Sequence, residues 1–244
     1  MDAISEQIGR SKLIFKRADS PEELDEIFRL RYQVYCNESH FLNPEKYPDG
    51  KESDKYDPFS VYFTASDQYG MIGAMRIILD STLGFPFEEH CRGKLRINVK
   101  DIPRKRSVEV SRLVISKRFR RRTNDGLTYG PDFDDSVTGS DLKDIAKRVR
   151  PMAFGLYREM YQESKRRGIT HWYALMEKPL CFLLRMHGFV FNPIGEDVDV
   201  YGMVTPYMAV VEDVERSVYK KSPEFANEYF IRGLEPQYLP KFVG

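Results

Sequence analysis

The sequence is poor in cysteine. Its three residues, Cys36, Cys91 and Cys181, are odd in number and widely separated, which fits neither a disulfide framework nor a clustered zinc site. It has no excess of one charge: 38 Lys+Arg stand against 37 Asp+Glu. The whole molecule is therefore not a polycation for nonspecific nucleic-acid binding, and any basic site must be local. No run approaches the roughly 18 consecutive apolar residues of a membrane span, and the opening MDAISEQIGRSK lacks an apolar signal core. A cytoplasmic location and no transmembrane segment are expected. His40, His90, His171 and His187 fall in no metal-like spacing, and neither a GxSxG elbow nor a GxxxxGK(S/T) phosphate loop occurs. No structural metal, serine hydrolase chemistry or phosphate-loop nucleotide hydrolysis is expected.

What is present is an ordinary globular balance, 41% hydrophobic and 31% charged over 244 residues. No repeat divides the chain, although 116–145 and 232–244 are locally irregular. The expected organisation is one domain over 1–212 with a helical extension over 213–244 packed on it. Lys12–Phe15 suits a first strand. Ser20-Pro21-Glu22-Glu23 then supplies a cap, a proline for the first helical position and a capping-box acid, predicting a helix over about 21–36. Asn37–Pro58 reads as a long irregular loop, of the kind that in compact domains is usually functional or disordered. Val61–Ala65 and Met71–Leu79 predict an antiparallel pair, and Ser107–Ile115 a third strand rich in Val and Ile. Helical spacing returns around Asp141–Gly168, where Pro151 either starts the helix or kinks it. Ile169–Met176 predicts a strand, Pro179–His187 a short helix, Phe189–Phe191 with Tyr207–Val211 a final strand pair, and 213–232 a helical tail. The order of elements gives a mixed α/β class.

The informative residues break these patterns. Continuing the stripe Leu24, Ile27, Phe28 reaches Arg31 and Tyr35, so Arg31 points inward. Strand alternation puts Arg76 with Ile72, Ala74 and Ile78. It puts Glu109 and Ser111 with Leu113 and Ile115, and Arg112 with Val108, Val110 and Val114. An isolated buried charge costs several kcal/mol, so Arg31, Arg76 and Arg112 require anions nearby. Glu109 is one candidate; Glu52, Asp54 and Asp57 in the loop are others. A structural ion-pair network or solvated charges on an edge strand would read the same way.

The second pattern break is Lys117-Arg118-Phe119-Arg120-Arg121-Arg122, in which five of six residues are cationic. Such a run suits phosphate or an acidic protein partner, because Arg forks pair with oxyanions. A solvated loop and a nucleic-acid patch are the alternatives. The aromatics Tyr32, Tyr35, Phe41, Tyr47, Tyr56 and Phe59 crowd the first helix and loop, where they either line an apolar pocket or staple the loop. The single Trp172 lies in an apolar strand and belongs to the core.

Four segments together resemble a known pattern. Arg31-Tyr32-Gln33-Val34-Tyr35, the acidic Glu52-x-Asp54-x-x-Asp57, Arg76, and Glu109-x-Ser111-Arg112 resemble acyl-homoserine-lactone synthases. Arg31–Glu38 (RYxVYCxE) and Glu52–Asp57 (ExDxYD) are most similar to N-acyl amino acid synthases and exosortase-associated acyltransferases. The likeness spans about 12–211. All of these belong to the GCN5-related N-acetyltransferase (GNAT) superfamily.

The resemblance implies a three-layer α/β (α+β) fold with a twisted, mixed, mostly antiparallel central sheet that splays near its middle to admit a pantetheine arm. It implies transfer of a fatty acyl group from a thioester to the α-amino group of a small amino-acid acceptor. The expected donor is an acyl carrier protein bearing acyl-phosphopantetheine, or acyl-CoA, with no permanently bound cofactor. Lys117, Arg118, Arg120, Arg121 and Arg122 would meet the donor, although the superfamily's glycine spacing is lost there. Glu109 is the expected base, directly or through water. The thioester oxyanion would be stabilised by backbone N–H groups near Val114, Ile115 and Ser116. Arg31, Tyr35, Asp54, Asp57 and Arg76 would form the acceptor side, with Arg112 beside Glu109, Val114 and Ile115 in the catalytic set. Arg76 and Arg112 either fix the loop through Asp54 and Asp57, or one of them takes the substrate carboxylate. The rivals are a homoserine-lactone synthase using S-adenosylmethionine, whose pattern has a Trp where this chain has His40-Phe41-Leu42, an acetyl-CoA-dependent acetyltransferase, and a non-catalytic acyl- or carrier-binding module.

Overall fold

The structure is a computed structural model, and it describes residues 4–8, 11–117 and 139–242. The chain divides into two compact units. The first comprises the described residues of Met1–Lys55, Tyr62–Arg76 and Arg112–Glu159, and the second those of Tyr56–Val61, Ile77–Ser111 and Met160–Gly244. The fold is mixed α/β and its strand pairing is mostly antiparallel.

In the first unit, β1 (Ile4–Ile8) and β2 (Ser11–Arg17) pair antiparallel from Ile4↔Phe15 to Ile8↔Ser11. Next, β2 pairs antiparallel with β3 (Ser60–Asp67), from Ile14↔Ser66 to Arg17↔Phe63. The sheet continues through β4 (Gly70–Leu79) to β5 (Ser107–Ile115), two strands that supply residues to both units. Helix α1 (Pro21–Tyr32) starts as its sequence demands. Ser20 Oγ accepts from the Glu23 N–H at 3.2 Å, and Glu23 Oε2 accepts from the Ser20 N–H at 3.1 Å. Its apolar face, Ile27 and Leu30 with Val34 of the next turn, buries against Tyr62, Ala74 and Val114. Each such aliphatic side chain contributes about 2 kcal/mol of transfer free energy. The helix expected to reach residue 36 instead widens at Gln33–Glu38 into a π-helical turn.

A long helix, α3 (Gly139–Arg166), spans Pro151; the short helix α2 (Pro86–His90) precedes it in the chain. In the first unit α3 lies so close to β2 that a Cβ on Gly155 would sit 2.3 Å from the Phe15 ring.

In the second unit, β5 pairs parallel with β6 (His171–Met176) from Ser107↔His171 to Val110↔Ala174, four of its nine residues. The other side of β6 pairs antiparallel with β9 (Met203–Val210), which also holds the short strands β7 (Asn192–Pro193) and β8 (Val198–Asp199). The strand expected at Phe189–Phe191 therefore falls just after it. Both phenylalanines are core side chains, Phe191 stacked on Trp172 and Phe189 edge-on to Phe230. After α4 (Lys178–Met186), the tail forms α5 (Val211–Lys221), α6 (Pro223–Ala226) and a π-helical turn at Asn227–Ile231. Val211, Val214 and Val218 recur at helical spacing and are buried, and Phe230 stacks on Tyr161 at 4.4 Å. Buried Glu215 accepts from the Tyr161 hydroxyl at 2.8 Å and from Lys165 Nζ at 2.7 Å. Among the described residues no helix is long and apolar enough to cross a membrane.

Candidate functional site

Three of the pattern-breaking arginines meet in the first unit. Arg31 emerges from α1 on the same face as Ile27 and Leu30, and Arg76 from β4 two residues beyond Ala74, so the apolar contact of helix and strand ends in charge. Both are essentially sealed, at 0% and 1% exposure. The loop supplies their counter-ions. Arg31 Nε donates to Glu52 Oε2, and its Nη2 lies 3.8 Å from Asp54 Oδ2. Arg76 forks onto Asp54, Nη1 to Oδ1 at 2.8 Å and Nη2 to Oδ2 at 3.0 Å. Arg112 Nη2 bridges the pair, 3.1 Å from both Glu52 Oε1 and Asp54 Oδ2. Among the described residues, three guanidinium groups share these two carboxylates.

Its open edge is Arg112 and Asp54, whose side chains are each 22% exposed. Burial alone would raise the Asp54 pKa, but hydrogen bonds from Arg76 and the charges of Arg76, Arg112 and Arg31 hold it at about 2. The Arg112 guanidinium lies 5.5 Å from the centre of the Tyr35 ring. Burial pushes the Tyr35 phenol up, against the lowering effect of Arg112. Arg112 Nε is buried and meets no acceptor among the described residues. The backbone of Arg112 is left-handed, φ 51°, so the strict alternation expected along Ser107–Ile115 breaks there in a bulge-like kink.

Asp57, expected beside these residues, opens the 3-10 turn Asp57–Phe59 in the second unit and is half-buried. Val114 is part of the α1 core and Ile115 is buried next to it in sequence. The Ser116 N–H is occupied, donating to the Ile72 carbonyl at 2.8 Å. Glu38, the last residue of the RYxVYCxE segment, accepts the Lys117 N–H at 3.1 and 3.3 Å and Gln33 Nε2 at 3.0 Å. This clamp fixes the start of the basic run through its backbone and gives Glu38 a place that the sequence did not. Lys117 itself is half-buried. Arg118, Arg120, Arg121 and Arg122 lie outside the described residues.

Glu109 belongs to the second unit and is 2% exposed. Its Oε2 accepts the Phe87 N–H of α2 at 2.9 Å. Phe87 stacks on Tyr173, the residue paired with Glu109 across β5 and β6, at 4.4 Å. Phe85, Phe87, Tyr173 and Ile194 form the apolar wall beside this carboxylate. Nothing in the local sequence of α2 announced that its backbone would hold Glu109. Cys91, at the end of α2, is buried, and burial together with the Glu109 charge raises its thiol pKa, which keeps it a poor nucleophile. Trp172 is fully buried, as expected, and donates to Ser164 Oγ at 3.1 Å.

Residues 30–129 match the family of acetyltransferase (GNAT) domains. That span contains all four motif segments, and the sheet is that of a mixed α/β, GNAT-like fold. Among solved structures it is similar to BjaI, a CoA-dependent acyl-homoserine lactone synthase crystallised with SAM and isopentyl-CoA. The identity there is 19% over 84% of this chain and 83% of that one, with a TM-score of 0.58. The AHL synthase LasI is similar at 16% identity, covering 86% of this chain and 96% of its own, with a TM-score of 0.57. FeeM, an N-acyl amino acid synthase from uncultured soil microbes, is similar at 12% identity, 86% and 97% coverage, and a TM-score of 0.55. These likenesses bear out, at the level of the fold, the relation that the motifs implied. No match is found among curated proteins.

Proposed function

We propose that this protein is an N-acyltransferase that moves a fatty acyl group from an acyl carrier protein thioester to the α-amino group of an amino acid. The observation that carries this reading is the open edge of the arginine cluster. Its only half-open cation, Arg112, has a buried Nε without an acceptor among the described residues, next to the equally open Asp54. An acceptor carboxylate on Arg112 would satisfy that donor, while Asp54 attracts the acceptor's ammonium. Arg31 and Arg76, being sealed, act as positioning residues that hold Asp54 and Glu52 for Arg112. This assigns the carboxylate role, which the sequence left between Arg76 and Arg112, to Arg112.

An ammonium has no lone pair for attack, so a proton must leave first. Glu109, three residues before Arg112 on β5, is the carboxylate assigned to receive it. Its burial and its bond to the Phe87 N–H favour transfer through a water rather than direct contact. The amine nitrogen then forms the C–N bond, the C–S bond of the thioester breaks, and the thiolate leaves with a proton as the carrier's free thiol. The oxyanion donors are sought among the backbone N–H groups near Val114, Ile115 and Ser116, of which the Ser116 N–H is engaged by the Ile72 carbonyl.

The test is incubation with a long-chain acyl carrier thioester and either mixed amino acids or S-adenosylmethionine, with products identified by mass. An N-acyl amino acid is expected. An acyl-homoserine lactone, or turnover with acetyl-CoA alone, would overturn the reading. Glu109→Gln is expected to lower kcat by about a hundredfold, the usual worth of a positioned base, with acceptor KM nearly unchanged.

A further inference from the structure

The segment between α2 and β5 carries a second basic surface, which the function proposed above does not use. Residues 92–106 hold seven cations, Arg92, Lys94, Arg96, Lys100, Arg104, Lys105 and Arg106, and one acid, Asp101. Arg104 is engaged within its own unit, forked onto Glu88 at 2.6 and 3.0 Å and bonded to Asp80 at 3.1 Å. The other six are exposed, and none is ion-paired with a carboxylate among the described residues. At one end the Arg96 charge acts on Asp197, which is itself paired with Lys178.

The cations are displayed on a fixed backbone. Leu95, Ile97, Val99 and Ile102 alternate with them and pack on the wall of Phe85, Phe87, Tyr173 and Ile194. Main-chain bonds tie the segment down: Arg96 N–H to Ile194 at 2.7 Å, Glu196 N–H to Lys94 at 3.0 Å and Thr170 N–H to Arg106 at 2.8 Å. A row of cations with its apolar side buried and its backbone anchored loses little entropy when an anionic surface arrives. The same wall includes Phe87, whose N–H holds Glu109, so the row lies over the core that positions the proposed base.

We infer that this row is the docking surface for the acidic face of the acyl carrier protein. The inference rests on the acyltransferase reading for the identity of the carrier, and on charge complementarity for the contact. A protein partner is favoured over nucleic acid because the row contains no aromatic side chain on which bases could stack and the chain as a whole carries only a +1 charge.

The test compares binding of fluorescently labelled holo acyl carrier protein to the full chain and to Arg92→Gln/Lys94→Gln/Lys100→Gln/Lys105→Gln. Arg106 is left intact because its Nε bonds the Gly168 carbonyl. Loss of affinity by about tenfold or more at low salt, with a shallower dependence of Kd on salt, is expected. A second variant, Lys100→Glu/Lys105→Glu, guards against misfolding of the first and is expected to weaken binding in the same direction. Lys46→Gln/Lys220→Gln, two exposed lysines elsewhere, is the control and is expected to bind as the unaltered protein does. Unchanged carrier binding in both row variants, no carrier binding by the unaltered chain, or row-dependent binding of duplex DNA in place of carrier would each overturn the inference. The two readings fail separately. Carrier bound through the row without N-acyl product sinks only the reaction, whereas product formation with row-independent binding sinks only the docking surface.

Discussion

Two groups of buried charge in this protein differ in how far they open to solvent. In the second unit, Glu215 meets Lys165 and the Tyr161 hydroxyl; one carboxylate faces one ammonium, and burial with the Glu215 charge pushes the Tyr161 phenol up. Its net charge is zero, and it fastens the C-terminal helix to the long helix. In the first unit, three guanidinium groups face two carboxylates, and the side left half-open exposes one charge of each sign. Buried ion pairs are weak evidence for function, because structural networks have them too. What separates these two is the open edge.

The comparison can be broken or sharpened by substitution. The largest effect is expected at Arg31→Met, which leaves Glu52 buried without its main partner. Removing one member of a buried pair costs on the order of 3–5 kcal/mol, read as a fall in the urea midpoint, and a loss under about 1 kcal/mol would mean that Arg112 alone satisfies Glu52. Acid should come next. The folded pKa of Asp54, about 2, lies below its ordinary 3.8, so its stabilisation is fully present above about pH 4 and is lost as pH falls through 2. On the order of 2 kcal/mol is expected to vanish across that window, and Asp54→Asn should flatten the pH dependence of stability there.

Arg112→Gln is expected to raise the acceptor KM at least tenfold, since a hydrogen bond to a charged group is worth roughly 1.5–3 kcal/mol, while the melting temperature shifts less than in Arg31→Met. If acceptor KM stays put, the open edge is not where the carboxylate binds. The smallest effect belongs to the group around Glu215. Glu215→Gln retains an acceptor for Tyr161 and loses only the charge pairing with Lys165, so about 1 kcal/mol of stability should go, with kcat/KM per folded molecule unchanged.

The arginines were legible because each interrupts a period. Arg31 lies on the stripe of α1, and Arg76 stands among aliphatics on β4, where an uncompensated charge would be too costly to bury. Glu52 and Asp54 were legible as the acids of a loop too long to be idle. The geometry that joins them was not. The π-helical turn at Gln33–Glu38 has no residue signature, and the left-handed backbone at Arg112 violates the alternation from which the faces of β5 were read. Short strands such as β8 are made by their partner rather than by their own propensity, so two residues, Val198–Asp199, left no trace in the pattern. The row at 92–106 was missed for a different reason. Its cations are spaced out by apolar residues facing the core, so no contiguous run draws attention as Lys117–Arg122 does.

The kink at Arg112 also limits how this strand can change in length. Surface connections usually accept a residue more or less, but here the chain has already taken up one conformational irregularity between Ser111 and Leu113. Deleting Arg112 would remove more than a cation. The shortened strand would regain a regular pleat, Leu113, Val114 and Ile115 would each slide one place along it, and Val114 would be drawn out of the cluster it shares with Ile27 and Leu30.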